Sequence, residues 1–365
     1  MSEHPYKSMP DHAFWSRGVV RPAFGEVDPV VAAKFTITRN DRVATAGSCF
    51  AQHIGNELRR AGFNYFVTEK VHPAFEEAAQ GFNYGIFTAR YGNIYTARQL
   101  LQLLLRAYGL FAPVDDVWQD AEGTLRDPFR PNIQANGFAT WAEFRADRVQ
   151  HFAAVRDAVE NLDVLAFTLG LTEAWFDSAD GAVYPLCPGV AGGVFDSQRH
   201  RSVNFSVGEV IQDLTSAIAF IRERNPGARF IITVSPVPLI ATCLPRSVLV
   251  STTYSKAVLR VAAEEVSNGS PNVAYFPAFE IITGNHARGS YFAEDLRSVT
   301  RAGVDHVMRL FFRHYALSEA NSLPTNIAEP RDADQADADQ AAREHVRAMR
   351  KAAEAICDEE ALEAV

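Results

Sequence analysis

The chain has 365 residues, 47% of them hydrophobic, and a formal net charge of -9 from 35 Lys and Arg against 44 Asp and Glu. That length buries a sizeable core near the upper size of one domain. The acidic balance gives no general attraction to phosphate backbones or anionic lipid, so no nucleic acid partner is expected.

No apolar run approaches the ~20 residues that span a bilayer. The opening MSEHPYKSMPDHAFW lacks the apolar segment of a secretory signal, so a cytoplasmic protein with no membrane partner is expected. Cys49, Cys187, Cys243 and Cys357 are too scattered for a disulfide framework, and no CxxC or CxH spacing points to zinc. At least three free thiols, no metal and no cofactor are expected.

Prolines at 5, 10, 22 and 29 interrupt any helix over residues 1–40, which read as an irregular arm pinned to the domain by Trp15 and Phe24. RVATAG (42–47) reads as a buried strand. A helix follows, with Phe50, Ile54 and Leu58 at helical spacing until Gly62 stops it. Residues 63–68, aromatic and β-branched, read as a second parallel strand. The Gly-, Asn- and aromatic-rich stretch 70–95 suits an ordered loop, and Thr96 caps an apolar helix. After a polar excursion over 111–138, Thr140 and Glu143 have capping-box spacing and open a long helix to about Leu162.

Residues 163–170 and 229–236 are near-continuous apolar runs of the kind a strand covered on both faces requires. Between them Ser206 and Glu209 open another capped helix. Helix 252–267, strand 273–279 and helix 299–316 complete the alternation. Strands alternating with helices predict a three-layer α/β/α domain over 41–320, its mostly parallel sheet carrying the ligand site at the strands' carboxyl ends. From 321 to 365 the composition turns acidic and lacks aromatics, which reads as a solvated linker and a marginal terminal helix.

Gly47-Ser48-Cys49-Phe50-Ala51 lies between the first strand and its helix, which puts Cys49 at a helix N-terminus where amides and the dipole favour an anion. A buried small cysteine filling a tight turn is the structural alternative. GSCFA, together with FNYGIFTARYGNIYTARQLLQLL, TLGLTEAWFD, TVSPVPLIAT, TTYSKAVLR and EDLRSVTRAGVDHV, resembles the GSCFA family, a branch of the SGNH or GDSL hydrolases, over most of residues 10–320.

That resemblance implies an SGNH-like hydrolase or acyltransferase acting on an ester, thioester or O-acyl substrate, a small molecule or a glycan. Laid on the superfamily's Gly-Asp-Ser-Leu block, it makes Cys49 the nucleophile, with Ser48 the alternative one residue earlier. It further implies an oxyanion hole from Gly92, with Asn93 beside it, and from Thr172 in Gly170-Leu171-Thr172-Glu173. The expected Asp-x-x-His reads Asp295-Leu296-Arg297-Ser298, so the general-base histidine is replaced by serine.

His53, four residues after Cys49, His286, His306 and Glu173 are candidate substitutes, each with an ordinary packing or surface role as the alternative. Arg90, Tyr254 and Lys256, with Tyr91 and Arg98, fall in the same blocks and are candidate substrate-binding residues. Core and surface duty is the alternative for them. An inactive binding or scaffold protein is the competing expectation, carried by the missing histidine.

Overall fold

The computed structural model describes residues 4–71, 82–120, 123–316 and 358–362. In chain order its strands are β1 (Val43–Gly47), β2 (Trp118–Gln119), β3 (Leu125–Arg126), β4 (Val164–Leu169), β5 (Glu173–Asp177), β6 (Val183–Tyr184), β7 (His200–Asn204), β8 (Arg229–Val234) and β9 (Val273–Tyr275). The α-helices are α1 (Phe50–Arg60), α2 (Ala97–Ala107), α3 (Trp141–Asn161), α4 (Val207–Arg224), α5 (Val248–Asn268), α6 (Ala278–Thr283) and α7 (Arg301–Tyr315). The central sheet runs β1-β4-β8-β9, all parallel.

Alternation along each strand feeds both faces. Val43, Val164, Ala166 and Ile231 pack with α1, α6 and α7. Ala44, Ala46, Leu165, Phe167, Leu169, Phe230 and Ile232 pack with α2 to α5 on the other side. Each fully buried Leu, Ile or Phe contributes about 1.5–3 kcal/mol, so neither layer is dispensable. The fold is the expected three-layer α/β/α.

Several expectations need correction. Residues 63–68 are not a strand: one parallel bridge joins Val43 to Tyr65. The Tyr65 hydroxyl instead reaches the Ile86 carbonyl at 3.0 Å, and Thr68 N–H bonds Thr88 O at 2.7 Å, which turns the segment toward the 86–90 loop. β9 stops at Tyr275 because Pro277 has no N–H to continue a ladder, and α6 starts there. α5 begins four residues earlier than expected, where Ser247 accepts from Leu249 N–H. Thr140 caps α3, but the Glu143 carboxylate returns to the Ala139 amide at 3.1 Å instead of that of Thr140. Thr96 with Gln99 and Ser206 with Glu209 form full capping boxes.

A small antiparallel sheet, β6-β5-β7, grows out of the β4–α4 connection, where no strands were expected. The N-terminal arm is fastened by Val27 and Ile37, both buried, with Ile37 N–H on Tyr315 O. Trp15 is exposed, and Phe24, also largely exposed, rests its ring on Tyr291. Of the C-terminal stretch only 358–362 is described, as one 3-10 turn whose Asp358 is buried. Cys187 and Cys243 are free thiols and Cys49 is buried, while Cys357 lies outside the described residues.

Candidate active site

The GSCFA turn has a strict backbone requirement. Gly47 sits at φ +132°, and a Cβ there would lie 2.2 Å from the Thr168 carbonyl oxygen, so only glycine lets β1 end against β4. Ser48 then donates its N–H to Thr168 O at 3.2 Å, and Cys49 becomes the N-cap residue of α1. Both are buried, and the Ser48 hydroxyl has no hydrogen-bond partner among the described residues. The thiol thus stands at the positive end of an 11-residue helix.

Two loops close around this turn. Ile94 N–H donates to Gly47 O at 2.7 Å, and the amides of Gly170 and Leu171 donate to Tyr95 O at 3.0 and 2.9 Å. A Cβ on Gly170 would be 3.0 Å from the Ser48 Cβ, a measure of how closely the two turns touch. From α1, Gln52 Nε2 donates to Asn93 Oδ1 at 3.0 Å; Gly92, in a left-handed turn, brings Asn93 there. Lys256, buried on α5, donates Nζ to Gly170 O at 2.7 Å. Ser48, Cys49, Gly92, Asn93, Thr172 and Lys256 are therefore assembled at the carboxyl edge of β1 and β4.

Thr172 is held from two sides. Its N–H donates to Ser255 Oγ at 3.0 Å and its hydroxyl to Asn204 Oδ1 at 2.6 Å. The hydroxyl's proton is directed at Asn204, so its structural work is to fix the loop.

Other candidates stand elsewhere. Arg90, expected to bind substrate, is 1% exposed and pairs with Asp147 at 2.5 Å and Glu69 at 3.6 Å. It belongs to a buried ion network with Arg130, Asp127 and His151. Burial pushes the Glu69 carboxyl up, but the His151 hydrogen bond and nearby Arg130 hold it down at about 2. Tyr91 donates its hydroxyl to Thr45 O, and Arg98 pairs with Asp213 at 2.6 Å. Tyr254 is partly exposed beneath the Arg246 guanidinium.

His306 uses both ring nitrogens in packing, with Tyr291 Oη at 2.7 Å and the Val27 carbonyl at 3.1 Å, and burial lowers its pKa to about 4. His286 has a buried Nε2 without a partner among the described residues. His53 packs edge-on to Phe50, and burial lowers its pKa to about 4, so its ring is neutral at neutral pH. The Glu173 carboxylate accepts from the Thr242 hydroxyl at 2.8 and 3.0 Å. Asp295 lies in an exposed turn and accepts from the Ser298 hydroxyl at 2.5 Å and from the Arg297 and Ser298 amides at 2.9 Å. The serine in place of histidine closes that turn on itself.

Sequence reasoning missed Gln52, Tyr95, Asn132 and Asp358. Asn93 Nδ2 and Asn132 Nδ2 each donate to one Asp358 carboxyl oxygen at 2.9 Å, and Asp358 N–H donates to Tyr95 Oη at 3.0 Å. Gln52, a buried amide on the apolar side of α1, is the one with a sequence signal. A cavity of about 350 Å³ opens beside it, lined also by Asn56, Arg59 and Tyr84.

Among the described residues, Asp115, Asp177 and His200 bring their donor atoms within 4.8 Å of one another. The Arg199 guanidinium reaches both carboxylates, so the group is an ion-pair cluster. No helix among those residues is long and apolar enough to cross a membrane.

A parallel α/β/α sheet with a small-residue turn and a helix N-terminus at the carboxyl end of its first strand defines an α/β protein whose candidate site lies at the sheet's carboxyl edge. Within that class the chain belongs to the GSCFA family, whose family model matches residues 42–311. No curated protein matches it.

Proposed function

We propose that this chain is an SGNH-type acyl-transfer enzyme, a hydrolase or acyltransferase for ester, thioester or O-acyl substrates, acylated glycans included. The observation that carries the reading is Cys49 at the α1 N-terminus, with the 92–95 and 170–172 loops closed around it. The Cys49 thiolate attacks the substrate carbonyl carbon, and the bond to the alcohol or thiol leaving group breaks as that group takes up a proton. A thioester on Cys49 results. Water or an acceptor hydroxyl then attacks the thioester carbonyl and restores the thiol.

Negative charge on the carbonyl oxygen falls at the helix end, where the backbone amides of Cys49 and Gly92 and the Asn93 amide are the donors at hand. A thiol needs less help than a serine hydroxyl to become a nucleophile, which suits a site whose Asp-x-x-His motif ends in Ser298. His53, neutral at neutral pH and one turn from Cys49, is the candidate base. No cofactor enters this chemistry.

An acyl-donor probe should label Cys49, with labelling lost in Cys49→Ala and kept in Ser48→Ala. Labelling that moves with Ser48 would transfer the nucleophile role to the Ser48 hydroxyl. An unlabelled protein inert to ester, thioester and glycan-acetyl panels would sink the proposal. It would then favour a binding protein on the same fold, the reading that the self-closed Asp295–Ser298 turn supports.

A further inference from the structure

We propose that Asn93 and Asn132 form a clamp for the O=C–O unit of an uncharged acyl group, and that the chain's own Asp358 is its resident ligand, closing the site until substrate displaces it. The ligand class rests on the acyl-transfer reading above; the occupancy by Asp358 does not.

Asp358 is separated from Asn93 by 265 residues, yet its carboxyl is met oxygen by oxygen by two amide N–H groups at 2.9 Å. Its own N–H is taken up by Tyr95 Oη. Its partners among the described residues are thus neutral amides and a phenol. An ionised carboxylate buried against neutral donors is costly. Burial accordingly raises the Asp358 pKa above the ordinary carboxylate value. A clamp that takes a carboxyl without offering a countercharge suits an ester, which is planar, presents two acceptor oxygens on one edge and carries no charge to desolvate.

The clamp is also aimed. Gln52 donates to Asn93 Oδ1, which leaves Nδ2 facing Asp358, and Gln52 is one helical turn along α1 from Cys49. Arg297 Nη1, 3.9 Å from Glu360, tethers the same short segment to the loop preceding α7. With the segment docked, Cys49 is 6% exposed.

The test uses the full chain and site-resolved alkylation by iodoacetamide, read by peptide mass spectrometry, with exposed Cys243 as internal reference. Asp358→Ala should raise the Cys49 alkylation rate about tenfold or more, since the open population limits access. Asn132→Ala should do likewise. Methyl acetate, a planar uncharged ester, should then slow Cys49 alkylation in Asp358→Ala without affecting Cys243, and the peptide masses separate this protection from acylation of Cys49. A Cys49 rate in Asp358→Ala equal to wild type, with Cys243 unchanged, overturns the occupancy; failure of methyl acetate to protect overturns the ligand class. Alkylation is read without turnover, so an inert ester panel beside a tenfold rise would remove the enzymatic reading and leave the clamp standing.

Discussion

Replacing Arg90 by methionine separates a structural role from a substrate-binding one. The guanidinium is 1% exposed and lies between Asp147, 11% exposed, and Glu69, fully buried. Removing one partner of a buried pair leaves uncompensated charge and costs about 3–5 kcal/mol. Methionine retains much of the arginine stem, and Arg130 still contacts Asp147, so the lower end, about 3 kcal/mol, is expected. For a domain of this size that lowers Tm by roughly 6 °C. Urea denaturation followed by tryptophan fluorescence measures it. Arg60→Met, which removes a largely exposed arginine from its pair with Glu57, is the control, at about 0–1 kcal/mol. An Arg90→Met protein as stable as wild type but defective in acyl-probe labelling would refute the structural assignment.

Acid should destabilise the fold in a defined window. His53 and His306 titrate near 4 when folded, against 6.5 ordinarily, so between those values the unfolded chain binds protons that the folded one does not. Their contribution is complete above pH 6.5 and is lost as pH falls toward 4; the urea midpoint should drop across this range, and less steeply in His306→Gln. Gly47→Ala should abolish soluble folded protein, as judged by circular dichroism, because its Cβ meets a strand carbonyl at 2.2 Å. Thr96→Ala, which removes one half of a reciprocal cap, should cost about 1 kcal/mol in the same denaturation assay.

The layered architecture was legible because a strand buried on both faces must be nearly continuously apolar, as in Val164–Leu169 and Arg229–Val234, and because Thr96 and Ser206 announce their helices by capping chemistry. The segment 63–68 misled for the opposite reason. Its composition favours a strand, but the Tyr65 side chain's bond to Ile86 decides its path, and nothing local encodes that partner. β5 to β7 escaped notice because that sheet is half solvated, with Trp175 and Phe176 on it only partly buried, so alternation is blurred.

At the site, the turn at Gly47–Cys49 could be read from its neighbours in sequence, whereas the clamp joins residues 93, 132 and 358, which only the folded chain brings together. Arg90 and Lys256 show how little residue type says. Both are buried cations in family-like blocks, one serving an ion network and the other reaching the Gly170 carbonyl beside the Gly47–Cys49 turn.

The double hold on Thr172, with α5 at its amide and β7 at its hydroxyl, bears on binding entropy. Lys256 fixes the preceding Gly170 carbonyl from the same helix, so this wall of the site is rigid before any ligand arrives. A ligand then spends little of its interaction free energy on ordering that loop. Affinity there should respond to the ligand's own shape far more than to loop rearrangement, and ligands of different length should find the 170–172 backbone in one conformation.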